Sequence, residues 1–201
     1  MKKTIITTIL LIITFAYFFW PEKVISYPSG QTAPEQPIQK NLSSNKEWQK
    51  DEFNIKALSE YKIKARVLSR NNFSIGRESK ISPVDFALGW GPMSDQDVID
   101  KIEITQSNRW YHWKTESYSI PNQEISLNSA NVHIIPKDDL IENKIDDVSK
   151  GSLIEMKGYL VELTVDDGWH WRSSLRRDDT AGGSCELFWV EELTILDNEE
   201  F

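Results

Sequence analysis

The stretch from Lys150 to Leu196 constrains the fold most, because its apolar residues alternate with the period of two expected of β-strands. The apolar positions are even-numbered up to Met156 and odd-numbered from Tyr159 onward. A bulge or sharp bend at Gly158 explains this change of face, whereas a one-residue slip would expose the whole hydrophobic set. A long strand bent at a glycine is how a sheet curls into a small barrel, and flat extended pairing is the alternative.

Two further strands follow in the same stretch. Asp166-Asp167-Gly168 fits a hairpin turn in which glycine supplies the positive φ, and residues 169–175 form the returning strand. Residues 176–184 hold two glycines and show no periodicity, so they predict a loop. Residues 185–196 resume as a strand with apolar residues on both faces. These strands, taken in order, predict an antiparallel meander.

The middle of the chain predicts short helices among further strands. Residues 61–68 alternate cleanly as a half-buried strand, and residues 109–114 and 131–135 read as shorter ones. Ser82-Pro83-Val84-Asp85 is a helix-start signature. Further helix starts are indicated at Ser94 and Pro136.

The fold class follows from these elements. The sequence predicts an α+β, mostly β domain with two or three short helices. Its strands form a curved antiparallel sheet or a partly open small barrel, of which an OB-like barrel is one form. An N-terminal transmembrane helix precedes this domain.

Residues 1–20 are predicted to be an N-terminal membrane anchor or signal segment, because Lys2 and Lys3 precede an uncharged run to Trp20. As a helix this run spans about 25 Å, near the short end for a bilayer core. Aromatic residues at its outer edge favour an uncleaved anchor, whereas a signal peptide would be cleaved near Ser26. The anchor predicts a single-pass protein of the bacterial inner membrane with its C-terminal domain outside the cytoplasm. Cleavage predicts secretion to the periplasm.

Residues 21–46 hold four prolines among Ser, Gln and Asn, and predict an extended, hydrated tether. Residues 47–201 suffice for one exported β-rich domain. From residue 46 onward the chain carries 19 basic and 29 acidic side chains, a balance that argues against nucleic acid as a partner. The expected partners are the inner membrane, through residues 4–20, and an envelope protein or an anionic or glycan ligand.

No motif predicts a catalytic or metal site, and no cofactor is expected. His112, His133 and His170 lie singly in different strands, without metal-ligand spacing. Ser184 or Cys185 could act as a nucleophile with a histidine, but neither lies in a recognised nucleophile motif. The single cysteine is therefore interpreted as a small buried hydrophobe.

The candidate binding surface combines tryptophans with an arginine cluster. Arginines are few in this acidic domain, and three of them adjoin the glycine-rich loop, where they could receive a carboxylate, a phosphate or a glycan anion. Pairing with neighbouring acids is the alternative. A further tryptophan, bracketed by glycines, is either a packing residue or a ligand contact. The predicted binding residues are Trp90, Trp169, Trp171, Arg172, Arg176 and Arg177.

Three stretches read like recurring motifs: residues 82–95 (SPVDFALGWGPMSD), 129–136 (SANVHIIP) and 172–190 (RSSL…DT…GSCELFWV). In them the chain resembles a family of uncharacterised bacterial proteins that have an N-terminal hydrophobic segment before one exported domain. The resemblance spans about residues 60 to 193 and implies no established activity. Residues 150–165 also resemble the opening strands of small oligonucleotide- or oligosaccharide-binding barrels.

The expected function is that of a membrane-tethered envelope protein acting as a non-enzymatic binding or accessory module. The alternative is an envelope hydrolase or transferase that uses Cys185 or Ser184 with a histidine. Thiol labelling of the native protein separates these hypotheses, because a Cys185 that reacts only after unfolding excludes a cysteine enzyme, whereas an accessible thiol of low pKa favours it.

Overall fold

The computed structural model describes residues 24–176 and 185–196. The predicted membrane segment, Arg177 and Ser184 lie outside these described residues. Within them the chain is mostly β, with ten strands, four short α-helices and one 3-10 helix. No helix of the described residues has both the length and the apolar character to span a membrane.

The first half of the domain holds the longest strand and three short helical segments. Its elements are β1 (Ile38–Asn41), β2 (Glu47–Lys50), β3 (Phe53–Asn72), α1 (Arg77–Ile81), β4 (Val84–Gly89), a 3-10 helix (Gly91–Ser94) and α2 (Gln96–Ile99).

The second half begins with a separate hairpin and returns to the main sheet. Its elements are β5 (Glu103–Ser107), β6 (Trp110–Lys114), α3 (Asn122–Leu127), β7 (Ser129–Pro136), α4 (Asp139–Asp146), β8 (Leu153–Thr164), β9 (His170–Arg172) and β10 (Glu186–Ile195).

Eight strands form one curved sheet whose pairings return to their starting strand. The strand β3 pairs with β4, β4 with β7, β7 with β10, β10 with β8, and β8 again with β3. The β7–β10 pair is parallel, so the sheet is mixed and the expected wholly antiparallel sheet is wrong. A parallel pair needs a long crossover, and the chain between these two strands, which includes α4 and β8, supplies it.

The predicted meander is also wrong, because both later strands flank β8 on one edge. The strand β10 pairs with residues 154–160 and β9 with residues 162–164. The opposite edge of β8 is taken by β3 over residues 153–164. The long hydrophobic strand therefore lies in the interior of the sheet rather than at its end.

The bulge or bend predicted in β8 at Gly158 lies in the paired strand β10 instead, since β8 keeps its register with β3 across Gly158. Gly158 pairs with Val190 and Lys157 pairs with Glu192, so Glu191 is the extra residue of a bulge in β10. A Cβ atom at Gly158 would lie 1.9 Å from the carbonyl oxygen of Trp189, a distance that no side chain tolerates. Glycine is therefore required by the close approach of the bulged strand.

The main hydrophobic cluster draws buried side chains from all five strands of the returning circuit, including Ile63, Phe86, Val132, Met156 and Phe188. A second cluster takes residues of β3, β7, β8 and β10, and three tryptophans pack against it: Trp48, Trp169 and Trp171. A third cluster lies under the β5–β6 hairpin and the helices around it. Alternate residues of β8 and β10 contribute to different clusters, which explains their burial on both faces.

The helix predicted from Ser82 to Leu88 is wrong, because residues 84–89 form a strand with every residue buried. The backbone of β4 pairs with β3 on one side and β7 on the other. Two complete hydrogen-bond ladders outweigh a local helix-start signal. The described residues also hold four α-helices rather than two or three.

Residues 24–36, here called the N-terminal strap, pack against the domain instead of forming the hydrated tether expected from their composition. The N–H of Ile25 donates to the Lys150 carbonyl at 2.9 Å, and Ala33 is only 1% exposed. The Arg66 guanidinium lies 4.3 Å from the Tyr27 ring centre. Tertiary contacts thus supply the burial that the proline-rich composition does not suggest.

Candidate functional site

A pocket of about 280 Å³ opens where the β8–β9 turn approaches the β5–β6 hairpin and α1. Two sides of it are held together by a salt bridge between Arg77 of α1 and Asp167 of the turn, with N–O distances of 3.1 and 2.6 Å. The lining residues are Glu78, Arg109, Trp110, His133, Trp169, His170, Trp171, Arg172 and Cys185. Segments far apart in the sequence therefore share one concavity.

A buried charge network forms the floor of the pocket. The carboxylate of Asp85 on β4 is fully buried, and its Oδ1 accepts a hydrogen bond from Arg109 Nη1 at 2.9 Å. Nδ1 of His133 lies 2.9 Å from the same oxygen, without hydrogen-bond alignment. Asn131 donates a long hydrogen bond of 3.4 Å to Oδ2. A carboxylate removed from water is stable here only because these donors and the guanidinium charge surround it.

The turn of the β5–β6 hairpin positions Arg109. Asn108 and Arg109 have φ values of 50° and 63°, the left-handed conformation of a tight hairpin turn. The guanidinium then lies 4.0 Å from the Phe73 ring centre and 5.4 Å from that of Trp171. Burial lowers the pKa of Arg109, and the Asp85 carboxylate opposes that shift. The arginine is consequently a structural cation of the floor rather than a mobile surface charge.

Tryptophans form the apolar wall. Trp169 packs edge-on against Phe53, with ring centres 5.7 Å apart, and against Trp171 at 6.1 Å. Trp171 in turn covers His133 at 4.8 Å. Trp110 completes the wall from the hairpin and is 37% exposed. Indole faces of this kind present a broad, slightly negative surface to a ligand.

The carboxylate of Glu162 on β8 ties β9 to the sheet. One oxygen lies 2.6 Å from His170 Nε2, and the other accepts a hydrogen bond of 2.6 Å from Arg172 Nη1. The hydrogen bond with His170, followed by that from Arg172, holds the pKa of Glu162 below its usual range, against the opposing effect of burial. Arg172 is therefore neutralised by a carboxylate at the rim of the pocket.

The pairs made by Glu162 predict a pH-dependent stability. Since the folded-state pKa is depressed, the stabilisation is present above the ordinary carboxyl pKa of about 4.3 and is lost as the pH falls through the folded value. We expect Glu162→Gln to lower the free energy of unfolding by about 1 kcal/mol at pH 7. Urea denaturation at several pH values should show the difference from wild type shrinking below about pH 4. A difference that grows on acidification would contradict this assignment.

Three of the predicted binding residues, Trp169, Trp171 and Arg172, line the pocket together. Trp90 does not, because its side chain is 1% exposed and its Nε1 donates to Gln36 Oε1 at 2.8 Å. Trp90 is therefore a packing residue, one of the two interpretations that its position between glycines allowed. Arg176 is exposed outside the lining, and Arg177 lies outside the described residues.

Sequence reasoning missed the residues that the tertiary structure adds to the site. Asp85 was assigned to a helix start, and Glu78 and Trp110 were not singled out. Asn108 between two alternating segments was the available signal, since asparagine tolerates the left-handed conformation that a two-residue hairpin turn requires. Nothing in the sequence indicated that Arg109 would reach a carboxylate 24 residues away.

Cys185 lines the pocket at the start of β10, and its Sγ lies 4.0 Å from the carbonyl oxygen of Arg109. It is partly exposed, so the interpretation as a fully buried hydrophobe is wrong. Across residues 24–176 and 185–196, no group of three or more His, Cys, Asp or Glu side chains is arranged to hold a metal ion.

Comparison of the chain with protein-family models, with curated proteins and with solved structures gives no match. The function must therefore be argued from the pocket itself.

Proposed function

We propose that this chain is a membrane-tethered binding module of the bacterial cell envelope, and that the pocket beneath Trp169 and Trp171 is its ligand site. The observation that supports this most is the convergence of three indoles and two arginines on one cavity from two segments, the β5–β6 hairpin and the β9 region. Pockets with apolar walls and a few fixed polar groups are the usual form of small-ligand sites.

The strand order supports a barrel of the OB type. The five strands of the circuit follow each other as first, second, third, fifth and fourth, and α4 lies between the third and the fourth. OB barrels bind ligands on the face of strands two and three, flanked by the loops that follow strands one and four. The pocket takes His133 from the third strand, Glu78 from the first of these loops, and Trp169 from the second. The similarity to OB barrels concerns architecture only, and the ligand class depends on the side chains of the pocket.

The strap bears on how the domain is held at the membrane. Val24 bridges to Lys150, so only residues 21–23 separate the predicted anchor from the folded domain. Three extended residues span about 10 Å. In this proposal the domain is therefore held close to the outer surface of the inner membrane.

Protease added to intact spheroplasts tests the location. The proposed topology exposes the domain to the outer side, so it should be degraded, whereas a cytoplasmic marker protein should survive. Carbonate extraction should leave the remaining anchored fragment in the membrane, and its release would favour the cleaved, periplasmic form. A domain that stays intact until the spheroplasts are lysed would contradict export.

Binding at the pocket is tested with the full chain in a mild detergent, followed by tryptophan fluorescence. We expect saturable binding of a member of one of two ligand sets, neutral trisaccharides or small anions. Trp110→Ala should weaken that binding about tenfold, an effect of about 1.4 kcal/mol. Trp110→Phe should restore most of it, because the aromatic face is kept.

Trp113→Phe is the matched control, because Trp113 packs against the third hydrophobic cluster and not in the pocket. Its binding curve should equal that of wild type. Equal loss in both variants would place the ligand elsewhere, and absence of binding to either set would contradict the binding module.

A second candidate function is thiol-dependent hydrolysis or group transfer. The observation that favours it is the shared pocket of Cys185 and His133, with the histidine held 2.9 Å from the Asp85 carboxylate. A nucleophile, a base and an orienting acid are the parts of such a site. Labelling of native protein with a maleimide separates the two functions. Fast labelling at neutral pH together with ligand turnover that Cys185→Ser abolishes would favour the enzyme, whereas unchanged binding in Cys185→Ser favours the binding module.

A further inference from the structure

We infer that the pocket takes an uncharged, hydroxyl-bearing ring, such as the end of a neutral oligosaccharide, rather than an anion. This inference rests on the proposed binding function and narrows its ligand class. It replaces the anionic ligand that the arginine cluster suggested.

The arginines of the pocket already have carboxylate partners. Arg109 is paired with the buried Asp85, and Arg172 is paired with Glu162. Glu78 adds a further acid to the described lining. These two arginines and three carboxylates sum to one negative charge, so an entering phosphate or carboxylate would have to displace an existing partner. Displacing the partner of Arg109 is costly, because it leaves Asp85 charged and buried without compensation.

The aromatic wall favours the same ligand class. The face of an indole carries the negative part of the ring quadrupole, which repels anions and attracts C–H groups and cations. The C–H face of a sugar ring fits against such a surface. Trp110, at 37% exposure, leaves part of its ring open for that contact.

Polar groups at the edge of the wall complement hydroxyls. Glu78 offers carboxylate acceptors, and His170, whose Nε2 lies against Glu162, offers its other ring nitrogen at the rim. The volume of about 280 Å³ is at the small end of ligand pockets. It fits the terminal ring of a chain, with the remainder extending into solvent.

The test uses the full chain and two neutral probes, maltotriose and the N-acetylglucosamine trimer, beside two anionic probes, the galacturonic acid trimer and inorganic phosphate. Tryptophan fluorescence and calorimetry should detect at least one neutral trisaccharide and neither anion. Binding should change less than about twofold between 50 and 300 mM salt, because no ion pair forms with the ligand.

Arg172→Gln separates the two ligand classes. Because a neutral sugar forms no ion pair, we expect this substitution to weaken its binding less than it weakens the binding of an anion that pairs with Arg172. Glu78→Gln removes a carboxylate that could repel an anion from the pocket. Because Asp85 still compensates the charge of Arg109, we expect neither anionic probe to bind this variant.

Three results would overturn the inference. Binding of an anionic probe with loss in Arg172→Gln would assign the pocket to anions, and the binding module would stand. Salt-sensitive binding of a single-stranded oligonucleotide, without binding of either neutral sugar, would assign it to nucleic acid. If neither neutral probe nor anion binds, the ligand class and the binding function both fail.

Discussion

Replacing Asp85 with asparagine should lower the free energy of unfolding by about 3 kcal/mol or more. The carboxylate is fully buried and compensates Arg109, which stacks between Phe73 and Trp171. Asparagine keeps the shape of the side chain but removes the charge, so the guanidinium is left in a poorly hydrated place without its partner. Urea denaturation of the full chain in detergent, followed by circular dichroism, measures the change.

Asp146→Asn is the matched control. Asp146 also pairs with an arginine, at 3.1 Å against 2.9 Å for the Asp85 pair, and the two arginine side chains are equally exposed at 17%. The control carboxylate is 70% exposed, so its loss should cost less than about 1 kcal/mol. Equal effects of the two substitutions would show that the Asp85 network does not hold the pocket floor together.

The second large effect is expected from Gly151→Ala, which should displace the N-terminal strap. Gly151 has a φ of 89°, and a Cβ atom there would lie 1.9 Å from the carbonyl oxygen of Ile25. We expect a loss of about 3 kcal/mol, from the left-handed backbone and from the forced movement of the strap. Faster proteolysis between residues 24 and 36 should accompany the lower unfolding free energy.

Gly168→Ala separates these two causes. Gly168 has a φ of 88°, but nothing lies within 4 Å of an added Cβ. Its substitution should cost only the backbone term of about 1 to 2 kcal/mol and should leave proteolysis of the strap unchanged. If Gly151→Ala behaves like Gly168→Ala, the strap is not bound as described.

These two experiments bear on function because they probe two different parts of the domain. The Asp85 network shapes the pocket floor, and the strap joins the domain to the predicted membrane segment. A strap released by Gly151→Ala should lengthen the link to the membrane without changing the pocket. Ligand binding in that variant is therefore expected to equal that of wild type.

Part of the fold was readable from local patterns. The change of apolar parity at Gly158 marked the position that faces the bulge of β10, although the bulge was predicted in β8 itself. Alternation also identified β8 and the strands around residues 61 and 110, because a half-buried strand imposes its period on the sequence. The wall residues Trp169, Trp171 and Arg172 were predicted as binding residues, and they share the pocket.

Other elements could not be predicted from local patterns, because their conformation depends on segments that are distant in the sequence. Ser82-Pro83-Val84-Asp85 has the composition of a helix start, yet two neighbouring strands make residues 84–89 a strand. The strap has the composition of a hydrated linker, yet the domain surface offers it hydrogen-bond partners. The β4–β7 pairs join residues that are 40 to 50 positions apart in the chain. The hydrogen bond from Thr32 to Ser94 joins residues 62 positions apart.

The sequence by itself determined the strand-rich class and the aromatic character of the pocket wall, since each depends on residue type and short-range spacing. Only the tertiary structure decided which charges meet. The Arg109–Asp85 and Arg172–Glu162 pairs join segments that are remote in the sequence, and they neutralise both arginines of the described pocket lining. Opposite charges compensate each other only when they lie a few ångströms apart. The order of residues along the chain does not specify which side chains of remote segments come that close.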